Sequence, residues 1–313
     1  MFSRRFLRIK VVKALYAHLA SEAENQSASE KNLLFSIDKA YELYFHTITL
    51  ITEVRRYAAE RIEIGRNKKL PTPEDLNPNT KFIDNAVVLQ IENDEELNSF
   101  TEHKGLGWSA SPDMIKYLYN RMVESDYYAA YMASPDHSYE QDRRLVADFF
   151  VRTIQDDQRM ADYLEESSIM WCDDLDFILI MILHTLDACR ARQTAMPLEE
   201  EYKNDDDRQF VKQLFRTAVA NSKEYTKYIE RFTRNWDVER IAFMDTVIMI
   251  CAIAEMISIE SVPVKVTLDE YIEISKYYST VSSANFINGI LDKVVETLTA
   301  EGVITKAGRG LIG

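Results

Sequence analysis

Apolar side chains recur at intervals of three and four residues along most of the chain, a spacing typical of amphipathic helices. Near the N-terminus, Ile9, Val12, Tyr16 and Leu19 share one face of a helix predicted over residues 4–21. Further helices are predicted at 30–64, 82–91, 112–132, 139–155, 178–186, 241–257, 267–278 and 283–298. The pattern therefore predicts an all-α fold in which short loops join the helices.

Glycine and proline, on which tight turns depend, are scarce in this sequence. The 313 residues include 8 glycines and 7 prolines, and no glycine lies between Gly107 and Gly289. Because a parallel sheet needs many turns, this scarcity argues against α/β and all-β folds. It also excludes a glycine-rich phosphate-binding loop from that stretch, and no Rossmann or P-loop signature occurs elsewhere in the chain.

The chain reads as a repeat from about residue 144 onward. A shift of 65 residues pairs Phe150 with Phe215, Tyr163 with Tyr228, Glu165 with Glu230 and Trp171 with Trp236. Each copy consists of a helix, a shorter helix that ends in tryptophan and a strongly apolar helix. We therefore expect residues 144–192 and 209–258 to form related three-helix units with their tryptophans in equivalent places.

Charge is distributed unevenly along the chain. The net charge is −14, yet the first 21 residues contain Arg4, Arg5, Arg8, Lys10 and Lys13 and no acidic residue. This segment has a net charge of +5, which leaves −19 on the rest of the chain. Cations at the start of a helix oppose its dipole, so helix stability does not explain them. Because guanidinium binds phosphate in a bidentate fork, we interpret the cluster as a site for an anionic ligand.

The position of the three arginines adds a second expectation. They precede most of the predicted apolar stripe, so we expect their charged groups to be hydrated and to contribute little to packing. The alternative is that the cluster is simply the solvated end of a helix.

No pattern in the sequence indicates catalysis or metal binding. The five histidines lack HxxxH and HExxH spacing, and the carboxylate runs lie in polar loops without a nucleophile. We therefore predict that the protein is not an enzyme and has no cofactor or metal. Three widely spaced cysteines without a CxxC motif are typical of reduced thiols in the cytoplasm. We expect neither a signal peptide nor a membrane-spanning segment, because no apolar run is long enough.

Two blocks in the C-terminal part have a more specific pattern. The first comprises Trp236, Arg240 and Ile241, followed by Asp245 and Glu255 on an apolar helix. The second contains VPVKV from Val262, an Asp269-Glu270 pair, and FINGILD from Phe286. With Arg4-Arg5-x-x-Arg8 and Ala14-Leu15-Tyr16 near the N-terminus, these blocks resemble the NusB family of bacterial transcription antitermination factors.

The resemblance covers about residues 1–21 and 209–298 and implies an all-helical NusB-like bundle of two small subdomains. It further implies that the protein binds boxA-type RNA together with the ribosomal protein NusE, in association with the RNA polymerase elongation complex. The residues at the family's RNA-binding positions are Arg4, Arg5, Arg8, Lys10, Lys13, Lys265 and Phe286. Tyr16 and Asp245 match positions that face the NusE partner. Each of four residues has a competing interpretation. It is a role in the core for Phe286 and Tyr16, simple solvation for Lys265, and an ordinary acid at a helix start for Asp245.

The chain is about twice the usual length of a family member, which indicates an insert. We predict the first helix of the NusB-like domain at 1–22, a helical insert at 23–143, a possible degenerate duplicate at 144–208, the C-terminal NusB-like domain at 209–300 and a flexible tail at 301–313. The chain also departs from the family at Ser282, where many members have an acid before the last helix.

Two other classes of function are compatible with the sequence. NusB-like domains precede methyltransferase domains in some RNA-modifying proteins, but the missing glycine-rich cofactor loop argues against this class. The second class is a scaffold of helical bundles that binds basic ribosomal or transcription proteins without direct RNA contact. Salt-dependent RNA binding separates an RNA-binding protein from such a scaffold.

Overall fold

The computed structural model of the chain describes residues 1–233 and 241–306, and within these ranges it contains helices and no β-strand. The predicted all-α fold is confirmed. In chain order the helices are α1 (Arg4–Ala20), α2 (Gln26–Ile48), α3 (Leu50–Arg66), α4 (Pro73–Leu76), α5 (Ala86–Glu92), α6 (Glu95–Lys104), α7 (Pro112–Val123), α8 (Asp126–Ala133), α9 (Tyr139–Phe149), α10 (Gln158–Ser167), α11 (Leu175–Ala188), α12 (Asp205–Ala220), α13 (Ser222–Thr233), α14 (Phe243–Ser258), α15 (Val264–Tyr278) and α16 (Ser283–Ala300). A π-helical turn at Phe150–Ile154 continues α9, and a 3₁₀ turn at Ile169–Trp171 precedes α11.

The helices group into two compact units. The first unit contains Met1 and residues 38–201, and the second contains residues 2–37 and 202–313. One boundary therefore falls inside α2. Apart from Met1, the predicted NusB-like segments 1–22 and 209–300 both belong to the second unit, whereas most of the predicted insert and duplicate belongs to the first. The domain boundaries given above stay a prediction.

Two of the predicted helices are divided in the structure. The pattern at 30–64 is interrupted at Thr49, whose hydroxyl donates a hydrogen bond to the His46 carbonyl at 2.9 Å. Such a bond from side chain to backbone competes with the helical ladder. The pattern at 112–132 is interrupted at Ser125, whose hydroxyl accepts a hydrogen bond from the Tyr128 amide and so caps α8. Periodicity alone did not reveal these breaks, because apolar residues continue on both sides of each.

The order of helices is the same in both copies of the predicted repeat. A shift of 65 residues brings α10 onto α13 to within one residue at each end, and α9 with its π-helical turn likewise onto α12. An apolar helix follows in each copy, α11 in the first and α14 in the second. Trp171 is buried and donates to the Lys39 carbonyl at 2.8 Å. Trp236 lies outside the described residues, so the equivalence of the two tryptophans stays a prediction.

The core of the first unit contains a stack of aromatic rings around His46. The imidazole stacks on Trp108 and on Trp171, with ring centroids 4.1 and 5.2 Å apart, and Tyr163 extends the stack from Trp108 at 5.0 Å. Both ring nitrogens of His46 are buried and have no hydrogen-bond partner within the described residues. Burial therefore lowers the pKa of His46 to about 4, and the ring is neutral in the folded protein.

In the second unit, a buried ion pair holds α1 in place. Arg8 donates from Nε and Nη2 to the two carboxylate oxygens of Glu255 on α14, at 2.8 and 2.7 Å. Thr267 and Tyr271 on α15 donate to the same carboxylate, at 3.0 and 3.1 Å. Burial lowers the pKa of Arg8, but the hydrogen bonds and the charge of Glu255 outweigh this and raise it above its ordinary value. One carboxylate thus joins three helices.

This geometry corrects the expectation that all three N-terminal arginines have hydrated charged groups. Arg8 is 3% exposed, and Lys10 is also buried. The reason is that the buried face of α1 begins earlier than predicted, since Phe6 and Leu7 are already inaccessible to solvent. The predicted stripe is also wrong at Tyr16, which is exposed.

Replacing Arg8 with Ala should reduce the free energy of unfolding by about 3–5 kcal/mol, because the Glu255 carboxylate would stay buried without its cation. Urea unfolding followed by circular dichroism measures this loss. The double variant Arg8→Met/Glu255→Met should lose less free energy of unfolding than Arg8→Met and Glu255→Met lose in sum, since neither charge is left unpaired. Additive losses would contradict the pairing.

The neutral His46 should make the first unit less stable in mild acid. Below about pH 6.5 the unfolded chain takes up a proton that the folded chain does not accept until about pH 4, so stability falls as the pH falls through this window. The expected slope is at most about 1.4 kcal/mol per pH unit. Thermal unfolding of the parent and of His46→Phe, which retains the stack, should diverge between pH 7 and pH 4.5. A difference that does not change with pH would refute the assignment.

Candidate functional site

The exposed arginines of α1 and the acids that hold them form the centre of the candidate site. The side chains of Arg4 and Arg5 are 37 and 45% exposed. Arg4 donates from Nε to Asp207, in the first turn of α12, at 2.8 Å. Arg5 donates from Nε and Nη2 to the two carboxylate oxygens of Glu270 on α15, at 2.8 and 2.9 Å.

These ion pairs orient the guanidinium groups while leaving donors unused. Within the described residues, both Nη groups of Arg4 and Nη1 of Arg5 make no hydrogen bond. Because a guanidinium group carries five N–H donors in a fixed fork, the unused donors can bind an anion without breaking the ion pair. The hydrogen bonds from Arg5 to Glu270 raise the pKa of the guanidinium despite a lowering effect of burial, so Arg5 is always a cation.

Phe210 on α12 supports the start of α1 from a second direction. Its ring centroid lies 5.2 Å from the Arg4 guanidinium carbon and 5.4 Å from that of Arg8. Such cation–π contacts restrict the motion of the arginine side chains. The exposed Arg4 is therefore tied to the same aromatic ring as the buried Arg8.

The other predicted cations have different environments. Lys13 is partly exposed, and its Nζ lies 5.2 Å from the ring centroid of Tyr278 at the end of α15. Lys10 is buried, and Lys265 is exposed in the first turn of α15. Phe286 is partly exposed on α16. The structure thus places Arg5 and Lys13 along the side of α1 that adjoins α15, with Lys265 at the opposite end of α15.

Asp245 supports the loop between α15 and α16 from inside the second unit. It is 4% exposed, and its carboxylate accepts hydrogen bonds from the hydroxyls of Ser279 and Ser283, the latter at 2.9 Å. The Thr280 amide donates to the Ser283 hydroxyl at 3.2 Å. This arrangement agrees with a structural role for Asp245, and its predicted contact with a partner stays a prediction. Ser282, the departure from the family pattern, lies exposed in this loop.

Tyr16 belongs to an exposed aromatic pair. Its ring meets that of Phe243, at the start of α14, edge to face with centroids 5.1 Å apart. The two side chains are 38 and 44% exposed. Phe243 was not identified from the sequence, because it lies within the apolar helix predicted at 241–257 and periodicity does not distinguish it from the buried positions. Exposed aromatic side chains are typical of protein interfaces.

Tyr277, in the last turn of α15, was also not identified from the sequence as a candidate site residue. It is 80% exposed, which is more than either member of the Tyr16–Phe243 pair. In the structure Tyr277 falls outside the buried positions of α15, which include Tyr271, Ile274 and Ser275, and no signal in the sequence marked this.

The described residues show no metal site, and their two buried cysteines are not reactive. Residues 1–233 and 241–306 contain no group of three or more His, Cys, Asp or Glu side chains that could hold a metal ion. Cys189 and Cys251 are buried, and burial raises the pKa of both thiols, that of Cys189 to about 11. Reactive cysteines have low thiol pKa values, so these two are structural.

Membrane insertion finds no support in this part of the chain, where no helix combines the length and the apolar character needed to cross a bilayer. Trp236 and Arg240, which carry part of the family resemblance, lie outside the described residues.

Comparison with known proteins identifies the family. The sequence model of the NusB family matches residues 178–296. This range begins upstream of the predicted 209–298 and does not include residues 1–21. No solved structure gives a significant match.

Three curated relatives are named transcription antitermination protein NusB. The protein of Salinibacter ruber is 40% identical over 38% of this chain and 72% of its own length. That of Acetivibrio thermocellus is 35% identical over 36% of this chain and 79% of its own length. That of Chloroherpeton thalassium is 39% identical over 33% of this chain and 49% of its own length. These names denote transcription factors and not enzymes, in agreement with the prediction that this chain is not an enzyme. The chain belongs to the NusB family of transcription antitermination proteins.

Proposed function

We propose that this protein acts in transcription antitermination by binding boxA-type RNA together with NusE and joining the RNA polymerase elongation complex in the cytoplasm. Family membership supports the role in antitermination. The contacts of α1 support RNA as the ligand, and the exposed pair of Tyr16 and Phe243 supports a protein partner.

The observation that carries the proposal is the state of Arg4 and Arg5. Both are exposed, both are oriented by an acid through the Nε edge, and both have unused Nη donors. Phosphate contacts by such groups fix the position of a nucleic acid on a protein. Lys13, further along the same helix, adds a third cation. Arg8 and Lys10 are buried, so we assign them to support of α1 and not to direct phosphate contact.

Tyr16 and Phe243 are the proposed contact for NusE. Partly exposed aromatic pairs provide large apolar areas at low entropic cost when a partner covers them, and tyrosine is enriched among the residues that dominate binding energy. The pair lies on α1 and α14 of the second unit, and α1 also carries the proposed phosphate contacts. A single helix thus presents groups for both partners.

Replacing Arg4, Arg5 and Lys13 together with Ala should weaken binding of boxA-type RNA. The loss of stability should be smaller than in Arg8→Ala, because these three side chains are at least partly exposed, and it should come mainly from the buried Asp207, which loses the Arg4 cation. If each contacts one phosphate, the dependence of log affinity on log salt should become shallower by about 2. Fluorescence anisotropy of labelled RNA across a salt series measures the affinity for RNA and its dependence on salt.

A variant with the same change in net charge provides the control. Arg66, Arg144 and Arg152 of the first unit are 43, 83 and 44% exposed, and their replacement with Ala also removes three cations. This control should retain the salt dependence of the parent. Equal effects of the two triple variants would show that net charge, and not the α1 site, governs RNA binding. Binding of NusE without any RNA binding would support the scaffold alternative.

Replacing Tyr16 and Phe243 with Ala should weaken NusE binding by about tenfold or more, since both rings would lose the area that a partner covers. RNA affinity in the absence of NusE should not change. Isothermal titration of NusE measures the first effect, and Phe35→Ala, which removes a ring 47% exposed on α2, is the matched control. An unchanged NusE affinity in the double variant would exclude this surface.

A further inference from the structure

Tyr277 is an exposed aromatic side chain to which no role has been assigned so far. It is 80% exposed, compared with 38–47% for Tyr16, Phe243 and Phe35. Its hydroxyl makes no hydrogen bond and its ring no aromatic contact within the described residues. A ring this exposed contributes little to packing in the second unit, so its face is available to a ligand.

Helix geometry places Tyr277 on the face of α15 whose acids act on a cation of α1. Glu270 holds Arg5, and the charge of Glu273 also acts on Arg5. Tyr277 follows these acids by seven and four residues, so all three lie on one face of α15. The next residue, Tyr278, lies under the Lys13 ammonium group. The exposed ring therefore stands at the end of a row that begins at Arg5 and ends near Lys13.

The backbone that follows Tyr277 is firmly held. The Ser279 amide donates to the Ser275 carbonyl at 3.0 Å and closes α15. Asp245 then accepts hydrogen bonds from the hydroxyls of Ser279 and Ser283 at the two ends of the loop. A ring at the end of a frayed helix would lose entropy on binding a ligand, whereas a ring on a closed helix end is pre-organised.

We propose that the ring of Tyr277 is a stacking platform for an unpaired base of the bound RNA. The inference rests on the proposed RNA-binding function and extends it from phosphate contacts to a base contact. Single strands are bound by cations that follow the backbone and by aromatic rings on which bases stack. Arg5 and Lys13 supply the first element on this face, and Tyr277 supplies the second.

Charge favours RNA over a protein as the occupant. Lys276 precedes the ring, is 50% exposed and forms an ion pair with Glu273, while Lys13 lies at the neighbouring Tyr278. An anionic strand that brings a base onto Tyr277 places its phosphates near these two ammonium groups. A basic protein segment laid directly on Tyr277 would meet the same two cations and be repelled by them.

The test compares Tyr277→Ala, Tyr277→Phe and the matched control Phe35→Ala in their binding of single-stranded boxA-type RNA. Tyr277→Ala should weaken binding by about 5- to 100-fold, the range for loss of one base–aromatic stack. Tyr277→Phe should bind like the parent, because the ring is retained. The salt dependence should be the same in all of these variants, since no cation is removed. The fluorescence of 2-aminopurine, placed at successive positions of the RNA, should be quenched at one position by the parent and not by Tyr277→Ala.

Each outcome decides the question. If Tyr277→Ala binds like the parent while the Arg4/Arg5/Lys13 variant has a shallower salt dependence, the proposed function stands and the stacking role of Tyr277 is overturned. If the parent protein does not bind the RNA at all, both fall. If Tyr277→Ala weakens NusE binding and not RNA binding, the ring is a protein contact and the inference is wrong. Equal losses in Tyr277→Ala and Tyr277→Phe would point to the hydroxyl and likewise exclude stacking.

Discussion

The second unit depends on the buried ion pair between Arg8 and Glu255. These residues are 247 positions apart, and their pairing joins the first helix of the chain to α14 and, through Thr267 and Tyr271, to α15. A carboxylate that is fully buried is tolerable only when its oxygens are satisfied, and here four donors surround it. α1 is thus fixed by a requirement for charge compensation as well as by its apolar residues. Loss of either charge would leave the other buried and unpaired.

The fixed position of α1 explains why its cations differ in role. The helix is buried around Arg8, so the charged groups that reach the surface are those of Arg4, Arg5 and Lys13. The two arginines are then oriented by Asp207 and Glu270 on neighbouring helices. A buried ion pair positions the helix, and exposed ion pairs position the donors that the helix presents.

The sequence was sufficient to predict the fold class and the family. Both depend on local signals, namely helical periodicity, scarce glycine and short motifs around Val262 and Phe286. It was insufficient for burial, because burial depends on partners distant in the chain. Nothing in the N-terminal segment indicates that Arg8 meets Glu255, or that Tyr16 lies outside the buried face. Asp245 illustrates the same limit, since its hydrogen bonds to Ser279 and Ser283 form only when α14 and the loop after α15 come together.

The acidic character of the chain does not oppose RNA binding at α1. Exposed charges separated by more than about 8 Å are largely screened at physiological ionic strength. A phosphate on α1 therefore responds to Arg4, Arg5, Lys13 and the acids in contact with them, and far less to the net charge of −14. Those acids reduce the local positive charge, but they also hold the guanidinium groups in one orientation. The arrangement exchanges part of the electrostatic attraction for pre-organised donors, and pre-organisation lowers the entropic cost of binding a phosphate.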